Sequence, residues 1–140
     1  MLRPSRTAST IIGCAIEVHR ELGPGLLESA YERCLALELK AAGLAVRQQV
    51  AIPILYKGSD IDCSYRADLI VADEVIVEVK SVEALTAVHT AQALTYLRLT
   101  KLAHALLLNF NTQLLKHGIR SVRLGDPQSA SDSTMKRSKA

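Results

Sequence analysis

Helices packed on one central sheet: three features of this 140-residue chain predict that α/β class. Apolar residues recur at three and four through residues 10–42, alternate through 46–80, and return to helical spacing from Leu85. Turn formers fall where the period changes, at ELGPG, Gly43 and KGSD. The length suits one domain with one core, and 49% hydrophobic residues argue for a packed globule.

The elements follow in chain order. Residues 1–9 are expected to be a flexible N-terminus. Thr10 to Glu21 carries Ile12, Ala15, Ile16 and His19 at helical spacing, with Ser9 or Thr10 as cap. Gly23 and Pro24 stop that helix. Leu26 to Ala42 is a second helix, ended by Gly43. Val46 to Tyr56 is a strand, and Pro53 places it at an edge or an irregularity. A turn at 57–60 leads to strands at Ile61–Val71 and Val75–Lys80. Leu85–Leu99 is a helix, Ala103–Asn109 a strand, 111–117 a turn or short helical piece, and Ile119–Leu124 the last strand. A single domain thus covers 10–124, and the Ser-rich residues 125–140 read as a disordered tail. The crossover through Leu85–Leu99 should set strand 103–109 parallel to strand 75–80.

Composition excludes several classes. No apolar run approaches the roughly 20 residues of a membrane helix. MLRPSRTAST lacks the apolar segment of a signal peptide. Cys14, Cys34 and Cys63 are three, widely spaced and without a CxxC pair, so reduced thiols in a cytoplasmic protein are expected and zinc is not. The net charge of +3 sits near the ends; between Ser9 and Leu124 twelve basic residues balance twelve acidic ones. Any electropositive groove must come from arrangement, such as a local patch of Lys116, His117, Arg120 and Arg123.

The chemistry concentrates in YRADLIVADEVIVEVK, residues 65–80. Two apolar strands there carry Asp68, Glu78 and Lys80, and buried charge is costly unless paired, hydrogen-bonded or metal-bound. A three-residue loop, Ala72-Asp73-Glu74, would pair Val71 with Val75. Asp68 then sits opposite Glu78, and Arg66 opposite Lys80. Two facing carboxylates need something to relieve them. A divalent cation, neutralisation by Lys80 or Arg66, or a shared proton would each serve. On the following helix, His89, Gln92 and Tyr96 fall at i, i+3 and i+7 and form a polar stripe that can lie beside the carboxylates.

These residues, taken in order, resemble a known pattern. Asp68, Glu78 and Lys80 resemble the core of the PD-(D/E)XK nuclease superfamily, with Ala67 where proline is usual. Gln92-Ala-Leu-Thr-Tyr96 resembles the QxxxY motif of its RecB-like branch. GLLESAY, Gly25 to Tyr31, is similar to the signature of the GxxExxY protein family. The resemblance covers roughly residues 10 to 124. It implies a restriction-endonuclease-like αβββαβ core, a central mixed sheet flanked by helices.

It also implies a metal-dependent nuclease acting on nucleic acid, DNA before RNA; the small body leaves little room for a recognition domain, so a homodimer or partner protein is expected to supply it. The alternative is a catalytically inactive nuclease-fold module that binds nucleic acid or protein. In the family's terms Asp68, Glu78 and the Val79 carbonyl would hold Mg²⁺ or Mn²⁺, with Glu28 or His19 as a further ligand. Glu28, Asp68, Glu78, Lys80, Gln92 and Tyr96 would make the catalytic set. Tyr31, Arg66 and His89 would meet the substrate. For Glu28 a first-turn carboxylate favoured by the helix dipole, and for His19 a hydrogen-bonded core histidine, are the competing readings.

Overall fold

The computed structural model describes residues 5–62 and 65–125. The expectations for residues 1–4, for Cys63 and for the tail beyond 125 lie outside them. Helix α1 spans Arg6–Leu22 and starts earlier than its apolar spacing indicated, because Ser5 rather than Ser9 or Thr10 caps it, its side chain accepting from the Ala8 N–H at 3.0 Å. Residues 6–9 are therefore helical, not a flexible lead-in. Ala8, Ile11, Ala15 and Val18 form the buried stripe. Gly23 closes the helix at φ 68°, and its N–H returns to the His19 carbonyl. Helix α2 spans Glu28–Ala41 and buries Tyr31, Leu35, Ala36 and Leu39.

The long strand expected at 46–56 is two pieces. Strand β1 is Val46–Ala51, and after a break at Ile52, Pro53 and Ile54 the chain forms a small hairpin of β2, Leu55–Tyr56, and β3, Ser59–Asp60. Proline cannot donate to a ladder, which explains the break. Strand β4 is Arg66–Val71, shorter than expected, and β5 is Val75–Lys80. Helix α3 spans Ala87–Thr100, β6 His104–Asn109, a 3₁₀ turn Leu115–Gly118, and β7 Ile119–Arg123.

The main sheet has five strands in the order β1-β4-β5-β6-β7. Strands β5 and β6 are parallel, as the α3 crossover requires, and the other neighbours are antiparallel. Two apolar layers follow from strand alternation. Leu69, Val71, Val75, Val77, Val79, Leu106 and Leu108 meet α1 and α2 on one face. Ile70, Ile76, Ala105, Leu107 and Val122 meet Ala93, Tyr96 and Leu97 of α3 on the other. The central strands β5 and β6 are buried on both faces, so they read as continuous apolar runs. Among the described residues, no helix is long and apolar enough to cross a membrane.

Candidate active site

The β4–β5 hairpin sets the register on which the site depends. Val71 pairs with Val75, Ile70 with Ile76 and Leu69 with Val77 across the loop 72–74, as the three-residue count predicts. Ala72 and Asp73 supply the turn in left-handed conformation, at φ 54° and 50°. The next opposed residues are Asp68 and Glu78, and here side chains take over from the ladder. The Asp68 N–H donates to Glu78 Oε2 at 2.8 Å, and the Val79 N–H donates to Asp68 Oδ2 at 2.8 Å. Each carboxylate thus satisfies a backbone donor of the opposite strand. Hydrogen bonds to a charged acceptor are worth about 1.5–3 kcal/mol each and offset part of the desolvation cost.

The β4–β5 ladder ends at Leu69 and Val77, so Arg66 and Lys80, expected to oppose each other, are not ladder partners. On the other edge of β4, Arg66 pairs with Ala51 of β1, and its guanidinium donates to the Gln49 carbonyl at 3.2 Å. It lies exposed at the entrance of β4.

Burial dominates the electrostatics. Glu78 is only 4% exposed, and burial first, then the Asp68 charge, pushes its carboxyl pKa up to about 8. Burial also raises Asp68, while the Val79 N–H, Gln49 and Lys80 pull it back. Lys80 lies on the same strand face as Glu78, and its charge lowers both carboxyls. Among the described residues its ammonium makes no ion pair, so neutralisation of the pair by a direct Lys80 or Arg66 salt bridge does not occur.

The polar stripe of α3 divides. Tyr96 is buried at the carboxylates, and burial followed by the charges of Glu78 and Asp68 pushes its hydroxyl up to about 12. Gln92 lies one turn earlier, half-buried, with no hydrogen-bond partner among the described residues. His89 is turned to another task. It sits at the third position of α3, where its Nδ1 accepts from the Thr86 N–H at 3.0 Å in a capping box, so one ring nitrogen caps the helix.

The N-terminal helices contribute in ways the motif alone did not separate. Glu28 opens α2 and reaches the end of β5, where its Oε2 accepts from the Ser81 N–H at 2.9 Å. Its charge is felt at Asp68. Tyr31, expected at the substrate, is completely buried. Its ring stacks on Phe110 at 4.4 Å, its hydroxyl donates to the Gly23 carbonyl, and it accepts from the Leu26 N–H at 3.1 Å. It fastens the GPGL turn from inside and so fixes where Glu28 begins.

His19 is a core histidine. Its Nε2 lies 2.8 Å from the Thr112 carbonyl and 3.1 Å from the Phe110 carbonyl, both acceptors, so that nitrogen carries the proton and cannot ligate a metal.

Three site residues escaped the sequence reading. Gln49 lies across β1 from Asp68, between the pairs Gln48–Leu69 and Val50–Ala67. Its Nε2 donates to Asp68 Oδ1 at 3.2 Å and to Glu32 Oε1 at 2.7 Å. Gln48 adds a bond to Glu32 Oε2 at 3.3 Å. Burial raises the Glu32 carboxyl, and the Asp68 charge adds to it. The only sequence signal was Glu32 one turn after Glu28 on the same helix.

The donor chemistry suits a hard cation. Asp68 and Glu78 offer carboxylate oxygens. In a strand one residue's carbonyl shares the edge of its N–H, so the Val79 carbonyl faces the same side as the N–H that meets Asp68. Among the described residues no three His, Cys, Asp or Glu side chains gather closely enough to hold a metal by themselves. Mg²⁺ keeps several waters and takes one or two carboxylates, so a larger cluster is not a requirement for it. A buried acid pair without a direct ion pair among the described residues is also an arrangement a cation would relieve.

An open-edged mixed sheet, helices on both faces and an acid pair followed by lysine on its central hairpin define a restriction-endonuclease-like domain. Comparison with known families agrees: residues 5–122 match the PD-(D/E)XK nuclease superfamily, and the chain belongs to it. No curated protein and no solved structure matches the chain.

Proposed function

We propose that this protein is a metal-dependent nuclease that hydrolyses phosphodiester bonds, DNA in preference to RNA, within the RecB-like branch and the GxxExxY family. The observation that carries this is the Asp68–Glu78 clamp, with Lys80 adjacent and in no ion pair among the described residues. Asp68, Glu78 and the Val79 carbonyl hold Mg²⁺ or Mn²⁺. When bound, the cation supplies polarisation of the phosphate and a water of lowered pKa. Lys80 stabilises the charge that develops on the phosphate oxygens. Gln92, half-buried and without a hydrogen-bond partner among the described residues, offers an amide to the nucleotide backbone. Tyr96 braces the floor beneath the carboxylates. Glu28 holds the Ser81 backbone and so the strand end that carries Lys80.

A non-catalytic nucleic-acid- or protein-binding module is the second reading, favoured by one feature: both carboxylates already have backbone partners. Hydrolysis of single- and double-stranded DNA and RNA with Mg²⁺ or Mn²⁺ separates the two. Activity that disappears in Asp68→Ala and Lys80→Ala supports the nuclease. Activity indifferent to both substitutions, or none from the wild type, rejects it.

A further inference from the structure

The chain entering β4 carries a second group of residues that the hydrolytic chemistry does not use. Tyr65 is 44% exposed although it immediately precedes a strand with a buried core. Its ring stands edge-on to Tyr96 at 6.4 Å, and Tyr96 adjoins Glu78, so aromatic surface runs from solvent to the acid pair. Beside it opens a pocket of about 230 Å³ lined by Tyr65, Arg66, Asp60, Asp62 and the apolar residues Ile52 and Pro53. On the hairpin above, Tyr56 is 62% exposed and carries Lys57 over its ring at 5.4 Å.

We propose that this pocket receives one unpaired nucleobase of a single-stranded substrate, stacked on Tyr65, while its neighbouring phosphate lies at Asp68 and Glu78. The inference deepens the nuclease reading and, for its geometry, rests on it. Three features point to a base. The volume is below the roughly 300–1,000 Å³ of sites for drug-sized ligands and suits a single planar ring rather than a base pair. An exposed tyrosine beside an arginine is the pairing that stacks bases and holds the backbone in sequence-tolerant single-strand grooves. Asp60 and Asp62 repel phosphate but accept hydrogen bonds from the amino groups of base edges. Distance agrees as well, because Tyr65 and Asp68 are three residues, about 10 Å, apart along extended chain. A paired base could not enter without leaving its stack, so duplex binds without this contact.

The test is fluorescence anisotropy in EDTA with a fluorescein-labelled single-stranded DNA oligonucleotide and with the same strand annealed to its complement. Wild type should prefer the single strand. Tyr65→Ala should weaken single-strand binding at least about fivefold, Tyr65→Phe should keep it, and duplex binding should change with neither. Equal single-strand affinity in wild type and Tyr65→Ala overturns the proposal, as do equal losses on both substrates or a wild-type preference for duplex.

Photo-crosslinking of wild type to a strand carrying 5-iodocytosine removes any dependence on variant folding. A crosslink mapped to Tyr65 by mass spectrometry is expected, and crosslinks confined elsewhere reject the pocket. Because EDTA removes catalysis, Tyr65-dependent binding by a protein that never cuts would sink the nuclease alone. Metal-dependent cutting with binding blind to Tyr65 would sink the pocket alone.

Discussion

Asp68 and Glu78 face each other across the β4–β5 hairpin, and each accepts a hydrogen bond from the backbone of the other's strand: Asp68 N–H to Glu78 Oε2, Val79 N–H to Asp68 Oδ2, both 2.8 Å. Strand pairing is thereby continued by the two acids themselves. The carboxylates are held close and oriented before any ligand arrives, at the expense of mutual repulsion in a buried place.

That repulsion sets the response to charge removal. Above about pH 8, where Glu78 is ionised as well, Asp68→Asn keeps an oxygen for the Val79 N–H and removes one of two facing charges, so the metal-free variant should melt above the wild type. Asp68→Ala leaves the Val79 N–H without its acceptor and should cost about 1–3 kcal/mol. Mg²⁺ at about ten times its dissociation constant should raise the wild-type melting temperature by roughly 3–6 °C and leave Asp68→Asn nearly unmoved. Differential scanning calorimetry with and without Mg²⁺ reads all three. A wild type indifferent to the cation would count against a metal site.

The acid pair also gives stability a pH dependence with a definite sign. The Glu78 carboxyl is raised from 4.5 to about 8 in the folded protein, so the folded state holds a proton that the unfolded chain releases. Its contribution is complete below about pH 4.5 and is lost as pH rises through about 8, on the order of a few kcal/mol. Urea midpoints of the metal-free protein should therefore fall between pH 5 and 8.5 in this part of the profile, and Glu78→Gln should flatten the fall. A slope unchanged by that substitution would assign the effect elsewhere.

Tyr31 separates packing from chemistry. Tyr31→Phe keeps the stack on Phe110 but abandons the Gly23 carbonyl and the Leu26 N–H. We expect a loss of about 1–2 kcal/mol in urea denaturation at constant m-value. Substrate affinity should survive, because the residue is out of reach of a ligand. A large rise in KM with stability intact would restore Tyr31 to the substrate side.

Glu32 and Gln49 should behave as positioning residues. The Gln49 amide bridges Glu32 and Asp68, so Gln49→Ala and Glu32→Ala free one side of the Asp68 carboxylate. Under the nuclease reading, kcat should fall about tenfold or more with little change in KM, while melting shifts by less than about 1 kcal/mol equivalent. The double variant should lose no more than the worse single one, since both act through one bond. Additive losses would mean the two residues act separately.

Much of this was legible before folding was considered. The change of apolar period marked three helices and the strands between them. The loop count 72–74 placed Asp68 against Glu78, because side-chain alternation leaves only two choices of face and an odd loop selects one. The ends of elements were less legible: Ser5 begins α1 through a single hydrogen bond that periodicity does not register, whereas Pro53, which lacks a ladder donor, marked the irregularity that divides the first long strand. Tyr31, His19 and His89 sit in or near motifs, yet the fold spends them on a turn, two carbonyls and a helix cap.

By itself, then, the sequence determined the class of fold, the acid pair with its lysine and the superfamily those residues point to. These depend on patterns local in the chain, whose physical rules are period and register. Only the tertiary structure decided which polar side chains stay free for a ligand and which are consumed in holding the backbone. It alone brought Gln49 and Glu32 to Asp68 and set Tyr65 against Tyr96. Those contacts join residues 17 to 31 positions apart, and their partners are chosen by how β1, α2 and α3 pack on the sheet, which no local pattern records.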